Sequence, residues 1–186
     1  MPAPILSREE VLDLLLNTFR DRGYEGSSLS ELSTATGLGK SSLYHYFPGG
    51  KEDMAEQVLA HLDRQLTTNL YEPLQSARTP ATKLGLLLDV LDAFYEGGRK
   101  ACLLERLCAS VDRTRFRRPL RQAFVAWIDA VEAICLEAGL SKGVARARAE
   151  DLVVRIEGAL VVCAGTGDTA VFARTIRDLR ASVLAP

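Results

Sequence analysis

The stretch from Ser28 to Lys51 limits the possible folds more than any other part of this 186-residue chain. It holds two short segments with helical spacing of apolar residues, and Gly37 lies between them. A glycine at such a place ends a helix, because it adopts the left-handed conformation at little cost. In the first segment Leu29 and Leu32 share one face, and Ser28 is placed to cap the exposed amides. The pattern therefore predicts a short helix, a turn and a second short helix.

The second segment separates an apolar face from a polar face. Leu43 and Phe47 are four residues apart and lie on the same side of a helix. Five other positions carry side chains that can hydrogen-bond: Lys40, Ser41, Ser42, Tyr44 and His45. Two short helices joined by a glycine turn are typical of a helix-turn-helix unit, whose second helix enters the major groove of DNA. Core packing is the alternative role for Tyr44, and we expect Tyr46 in the core.

Helical patterns continue on both sides of this unit. Ser7 followed by Glu10 indicates a capping box at the start of an amphipathic helix that runs to Gly23. A longer amphipathic helix begins at Lys51, and further helical patterns that stop at glycines follow it. The sequence therefore predicts an all-α protein whose first three helices form a unit with a core of its own.

Two parts of the chain resemble a known family. The run from Gly37 to Phe47, followed by Lys51 and Glu52, resembles the recognition-helix signature of TetR-family transcriptional regulators, in which a Leu-Tyr-x-x-Phe segment precedes the lysine of the fourth helix. The segments 101–104 and 49–52 resemble the LmrA/YxaF-like branch of that family. The resemblance implies an N-terminal three-helix helix-turn-helix domain over residues 1–50. It also implies that residues 51–186 form a helical bundle that binds a ligand and dimerises.

The charge of the chain does not by itself indicate a nucleic-acid partner. The net charge is −1, and the residues up to Glu52 carry five basic against seven acidic side chains. Affinity for a DNA operator must then come from the local placement of Lys40 against base edges and of Lys51 and Ser28 against phosphates. The residues expected to contact double-stranded DNA are Ser28, Gly39, Lys40, Ser41, Ser42, Tyr44, His45 and Lys51.

The predicted helix over residues 144–164 is apolar on two sides, which indicates a helix that is buried on more than one side. Small residues on its second face would let another helix approach closely. The residues expected in a homodimer interface are Val154, Gly158, Val161 and Gly165. A two-fold symmetric dimer requires a near-palindromic operator with half-sites about one helical turn or somewhat more apart.

The family resemblance also implies a small, apolar or aromatic effector bound between helices of the C-terminal domain, whose binding releases the DNA. The candidate lining residues are Leu91, Phe94, Tyr95, Cys102, Leu104, Cys108 and Trp127, each with core packing as the alternative. The sequence contains no catalytic constellation and no cofactor motif, so we expect neither an enzyme nor a cofactor. A helical ligand-binding protein or enzyme without DNA binding is the competing class.

Four cysteines are spread over the second half of the chain, without the spacing of a zinc site. We expect no metal, and each cysteine lies on an apolar stripe where it would be a small buried side chain. A redox-sensing DNA-binding regulator that uses Cys102 or Cys108 is the alternative.

The chain begins without a basic region ahead of a long apolar core and has no apolar run near the roughly 20 residues of a membrane span. A cytoplasmic protein without a membrane partner is therefore expected.

Overall fold

The computed structural model describes residues 6–75, 79–110 and 113–185. These residues form helices without a strand, which confirms the prediction of an all-α fold. The helices are α1 Arg8–Gly26, α2 Leu29–Thr36, α3 Lys40–Tyr46, α4 Gly50–Leu66, α5 Pro80–Phe94, α6 Leu103–Cys108, α7 Arg113–Glu137, α8 Lys142–Thr166 and α9 Ala170–Ser182. A π-helical turn, Thr67–Tyr71, and a single helical turn, Glu72–Leu74, follow α4, and a 3₁₀ turn, Glu96–Gly98, follows α5.

The chain divides into two compact units. The first consists of Met1–Gln65 and Leu103–Leu120, and the second of Leu66–Cys102 and Arg121–Pro186. The first residues of α7 thus belong to the first unit and the remainder to the second. This division concerns packing, whereas the predicted division into residues 1–50 and 51–186 concerns function and stays a prediction.

Two capping boxes fix the N-termini of the first two helices. Ser7 Oγ accepts a hydrogen bond from the amide of Glu10 at 3.2 Å, and the Glu10 carboxylate accepts one from the Ser7 amide at 2.8 Å. This confirms the predicted capping box. Ser28 and Glu31 form a second box at the start of α2 with the same two distances. The hydrogen bonds from Ser28 hold the pKa of the Glu31 carboxyl below its usual value.

Helix α1 deviates from helical geometry at the glycine where the sequence predicted its end. Gly23 has φ 70° and ψ 176°, and one further turn then extends to Gly26. The predicted end of α1 at Gly23 thus lies three residues before the observed end at Gly26, because the chain bends at Gly23 and then forms another helical turn.

The first unit packs one apolar stripe from each of its N-terminal helices into a common core. Its fully buried side chains include Val11, Leu15, Phe19, Leu32, Leu43, Phe47, Met54 and Val58. A polar contact supplements this core, since His61 Nε2 of α4 lies 2.8 Å from Asp13 Oδ1 of α1 and Gln65 donates to the same oxygen at 2.9 Å. The body of α4 is therefore held against α1 by both apolar burial and hydrogen bonds.

The second unit contains α5, α8, α9 and most of α7. Lys83 of α5 is buried, and its Nζ donates to both carboxylate oxygens of Glu137 of α7 at 2.7 and 2.9 Å. Arg146 of α8 donates to Asp129 at 2.8 Å and to Glu132 at 3.1 Å, which holds the start of α8 against α7. In the described part of the chain, no helix is both long enough and apolar enough to cross a membrane.

The turn after α5 packs directly on α9. Gly98 has φ 92°, and a Cβ added to it would lie 2.6 Å from the Cβ of Phe172. Both the backbone conformation and the close approach require glycine at this position.

We predict that Gly98→Ala destabilises the protein by about 2 kcal/mol or more, because it combines backbone strain with overpacking. The measurement is the urea midpoint of unfolding. Gly143→Ala is the matched control, since its added methyl would meet no atom within 4 Å, and alanine is the better helix former by about 1 kcal/mol. Equal midpoints for the two variants would contradict the tight packing at Gly98.

Candidate DNA-binding site

The turn between α2 and α3 is held by backbone geometry and by hydroxyl groups. Gly37 ends α2 in the left-handed conformation, with φ 68° and ψ 4°. Ser33 Oγ donates to the carbonyl of Leu38 at 2.6 Å, and the amide of Leu38 donates to Thr36 Oγ1 at 3.3 Å. Sequence reasoning found the glycine but missed these two side-chain contacts, because a hydroxyl bond across a turn leaves no periodic signal. The turn between the helices is therefore firmly defined.

Helix α3 is oriented by one large apolar side chain within it and another on the residue that directly follows it. Leu43 and Phe47 are fully buried. Gly39, which precedes α3, and Ser28, which precedes α2, are both exposed, as are the five polar residues predicted to face DNA: Lys40, Ser41, Ser42, Tyr44 and His45. Tyr44 is 46% exposed, so its ring is not a core side chain. Tyr46 is half-buried. The first unit thus presents a polar, partly aromatic surface along α3.

Lys51, the eighth predicted DNA contact, lies in a different setting. It is half-buried, and its Nζ donates to the backbone carbonyl of Tyr24 at 2.9 Å and lies 4.3 Å from the centre of the Tyr24 ring. An ammonium over an aromatic face is attracted by the negative face of the ring. Lys51 therefore ties the start of α4 to the end of α1, a role that sequence reasoning did not assign.

Tyr24 connects several elements of the first unit. Its ring stacks on Phe19 of α1 with the ring centres 6.1 Å apart, and meets the edge of Phe116 of α7 at 5.1 Å. Burial raises the pKa of its hydroxyl. Glu52 of α4 pairs with Arg115 of α7 beside this cluster. Nothing in the sequence spacing indicated this pairing, because the two residues are far apart in the chain.

The connector between α3 and α4 forms a turn that contains two glycines. The amide of Gly50 donates to the carbonyl of Phe47 at 2.9 Å, and Gly50 adopts φ 69°. The amide of Gly49 donates to Asp53 Oδ2 at 3.3 Å. The connector is therefore closed by hydrogen bonds at both glycines, which fixes the position of Lys51 in the first turn of α4.

The seven predicted ligand-lining residues are divided between the two units. Leu91, Tyr95, Cys102 and Trp127 are buried in the second unit, and Phe94 is half-buried there. Leu104 is buried in the first unit, whereas Cys108 in the same unit is exposed. The expectation of four buried cysteines is thus wrong for Cys108, because it is the last residue of α6 and lies off the buried side formed by Leu103, Leu104 and Leu107. The redox alternative stays an untested prediction.

The predicted dimer residues lie together on an exposed side of α8. Val154 is 67% and Val161 54% exposed. Gly158 and Gly165 are exposed, and a Cβ added to either would meet no atom within 4 Å. The spacing of three to four residues puts all four on one face. The two valines alternate there with the two glycines, so this side of α8 is an exposed apolar face.

These features define a class of protein. A three-helix unit in which the second helix of a helix-turn-helix presents polar side chains, ahead of a helical bundle, is characteristic of helix-turn-helix DNA-binding proteins. Residues 11–58 match the family model described as bacterial regulatory proteins, tetR family. Residues 99–178 match the C-terminal domain of LmrA/YxaF-like transcriptional regulators. The chain belongs to the TetR family of transcriptional regulators, which confirms the resemblance drawn from the sequence.

Individual relatives agree with this assignment. The HTH-type transcriptional regulator LmrA of Bacillus subtilis is 24% identical over 160 residues, which cover 84% of this chain and 85% of LmrA. A TetR transcriptional regulator from Legionella pneumophila has the same fold, with a TM-score of 0.84 at 17% identity over 96% of this chain and 98% of that one. A structure of CifR, a TetR-family transcriptional regulator solved with a 26bp operator DNA, has a TM-score of 0.71 at 22% identity. The match covers 96% of this chain and 98% of CifR. The relatives are transcriptional regulators and not enzymes.

We predict that Lys51→Met lowers the free energy of unfolding by about 1 to 2 kcal/mol, since it removes a hydrogen bond and a cation–π contact. Lys40→Met is the matched control, because Lys40 is an exposed lysine of α3 and should change stability by less than about 0.5 kcal/mol. Urea unfolding followed by circular dichroism measures both. Equal stability of the two variants would contradict the anchoring of Lys51 on Tyr24.

Proposed function

We propose that this DNA-binding regulator is a ligand-responsive repressor, which acts in the cytoplasm as a homodimer on a near-palindromic operator and is released by a small apolar or aromatic effector. The observation that carries the proposal is the orientation of α3. Burial of Leu43 and Phe47 leaves the polar side chains of this helix at the surface. A helix with this exposed face and a defined entry turn suits insertion into the major groove.

Residue roles follow from the chemistry of each side chain. Lys40 is proposed to reach the guanine O6 and N7 edge, and Ser41 and Ser42 to donate to bases or phosphates. Tyr44 and His45 are proposed to lie against phosphate or a thymine methyl. Two residues at helix starts, Ser28 and Gly39, are proposed to bring backbone amides near phosphates. Residues 1–50 act as the DNA-binding domain, and residues 51–186 as the ligand-binding and dimerisation domain.

Lys51 is proposed to contact a phosphate from a position fixed by Tyr24. An ammonium group has three donors, and one is used on the Tyr24 carbonyl. A lysine that is already ordered loses less side-chain entropy when it binds a phosphate. The structural contact and the proposed DNA contact are therefore compatible.

Dimerisation is proposed to supply the affinity that one helix-turn-helix lacks. The first 52 residues carry more acidic than basic side chains. The DNA-binding domain of one chain, residues 1–50, is a single head of the dimer, and it therefore has little attraction for the phosphate backbone. Pairing along the α8 face of Val154, Gly158, Val161 and Gly165 would bury apolar surface that is exposed in one chain. It would also fix the separation of two heads, so that binding one half-site brings the second head to the other.

Release by an effector requires a change in the second unit to reach the first. Helix α7 belongs to both units and contains Pro119 next to the boundary between them. Its first turn carries Arg115, which pairs with Glu52 in the first turn of α4. A shift of α7 is thus proposed to move the start of α4 and change the spacing of the two heads, which lowers affinity for an operator of fixed spacing.

We predict that Lys40→Ala reduces the preference for the operator over unrelated DNA, because it removes a base contact, while Lys51→Ala weakens binding to both. Fluorescence anisotropy with labelled operator and with scrambled DNA of equal length, at several salt concentrations, measures the two effects. The slope of the logarithm of the binding constant against the logarithm of the salt concentration should become smaller in magnitude by about one for Lys51→Ala. Equal losses on both DNAs for both variants would remove this division of roles, and absence of any salt-sensitive operator binding by the unaltered protein would contradict the proposed function.

We predict that Val161→Glu converts the dimer to monomers, because it puts a charge in the centre of the apolar face. Ala173→Glu is the matched control, since Ala173 is an exposed residue of α9 outside this face. Analytical ultracentrifugation gives the oligomeric state, and anisotropy gives operator affinity. A Val161→Glu protein that remains dimeric would show that another surface pairs the chains.

A further inference from the structure

Trp127, in the part of α7 that belongs to the second unit, has a buried hydrogen-bond donor without an acceptor. The side chain is 5% exposed, and the indole Nε1 has no hydrogen-bond partner within the residues that the structure describes. Buried tryptophans usually find a partner for this N–H, because an unpaired buried donor loses its bond to water without replacement. The described part of the chain therefore leaves this group unsatisfied.

The aromatic cluster of Phe94, Tyr95 and Phe172 in the second unit differs from Trp127 in this respect. The Tyr95 hydroxyl donates to Cys102 Sγ at 3.4 Å. The ring of Tyr95 meets the edges of Phe94 and Phe172, with the ring centres 5.0 and 6.0 Å apart. Gly98 packs against Phe172 so closely that an added methyl would clash. This cluster is packed and its polar atom is paired, so it has the character of a core.

We propose that Trp127 is the polar anchor of the effector site, and that the effector is a largely apolar, uncharged molecule with a hydrogen-bond acceptor, such as a carbonyl, ether or aromatic ring nitrogen, directed at the indole Nε1. The inference rests on the proposed function, which supplies the effector. An indole N–H only donates, so its ligand must accept. The acceptor is uncharged, because the indole offers no opposite charge to a buried carboxylate.

The position of Trp127 in α7 connects effector binding at the indole Nε1 with release of the DNA. Pro119 lies between Trp127 and Arg115 in the same helix, and a proline lacks the N–H that would continue the helical hydrogen bonds at that place. A ligand held by Trp127 therefore contacts the same helix that carries Arg115, the partner of Glu52. The two positions lie on opposite sides of Pro119.

The test uses the full chain, in which Trp127 is the single tryptophan. A ¹⁵N-labelled sample therefore gives one indole N–H signal. In the ligand-free protein we expect this signal at the upfield position of an indole without an acceptor. The probes are three pairs of similar shape, of which only the first member has an acceptor: benzophenone and diphenylmethane, 9-fluorenone and fluorene, quinoline and naphthalene. The signal should move downfield only with acceptor members, which should bind about tenfold more tightly.

The variants separate an anchoring role from simple packing. Trp127→Phe should abolish the preference for the acceptor members while the apolar members still bind, as measured by thermal shift. Tyr95→Phe is the matched control and should keep the preference, because it removes a hydroxyl that is already paired. A hydrogen-bonded indole signal in the ligand-free protein, a signal that none of the three pairs moves, or a preference that persists in Trp127→Phe would overturn the inference. Operator binding by the same ligand-free sample would then show that the proposed function stands, and its absence would contradict that function instead.

Discussion

The burial of Leu43 and Phe47 is the interaction on which the DNA-binding surface depends. Both side chains are fully enclosed in the first unit, and each contributes about 1.5 to 3 kcal/mol when it is removed from water. Because these residues are four positions apart, their burial also fixes the rotation of α3 about its axis. The polar residues of the helix then have no orientation available except outward.

A second constraint is electrostatic. The head that presents α3 has more acidic than basic side chains, so it lacks the general attraction for DNA that a basic surface provides. Lys51 is held on Tyr24, and Arg115 is paired with Glu52, so two of the cations in the first unit also serve its own packing. In the proposed account, a single head therefore binds weakly, and the exposed apolar face of α8 provides the second head.

The sequence predicted those features that depend on residues close together in the chain. The capping box of Ser7 and Glu10 and the left-handed Gly37 are local, and the structure contains both. The two faces of α3 follow from helical spacing and are also present. The all-α fold follows from the same periodicity.

Features that depend on distant residues could not be predicted in this way. The Arg115–Glu52 pair and the contact of Phe116 with Tyr24 bring the start of α7 into the first unit, and no periodic pattern marks such a pairing. The exposure of Cys108 depends on where α6 ends. The unsatisfied indole of Trp127 depends on the absence of an acceptor around it, which only the arrangement of the surrounding described residues shows.

The most direct test of the account compares the affinity for a complete operator with the affinity for a single half-site of equal total length. Fluorescence anisotropy at one fixed salt concentration gives both values, and ultracentrifugation of the complexes gives their stoichiometry. We expect two chains on the complete operator and an affinity at least about a hundredfold higher than for the half-site, since the second head binds at high effective concentration. Equal affinities, or one chain on the complete operator, would contradict it.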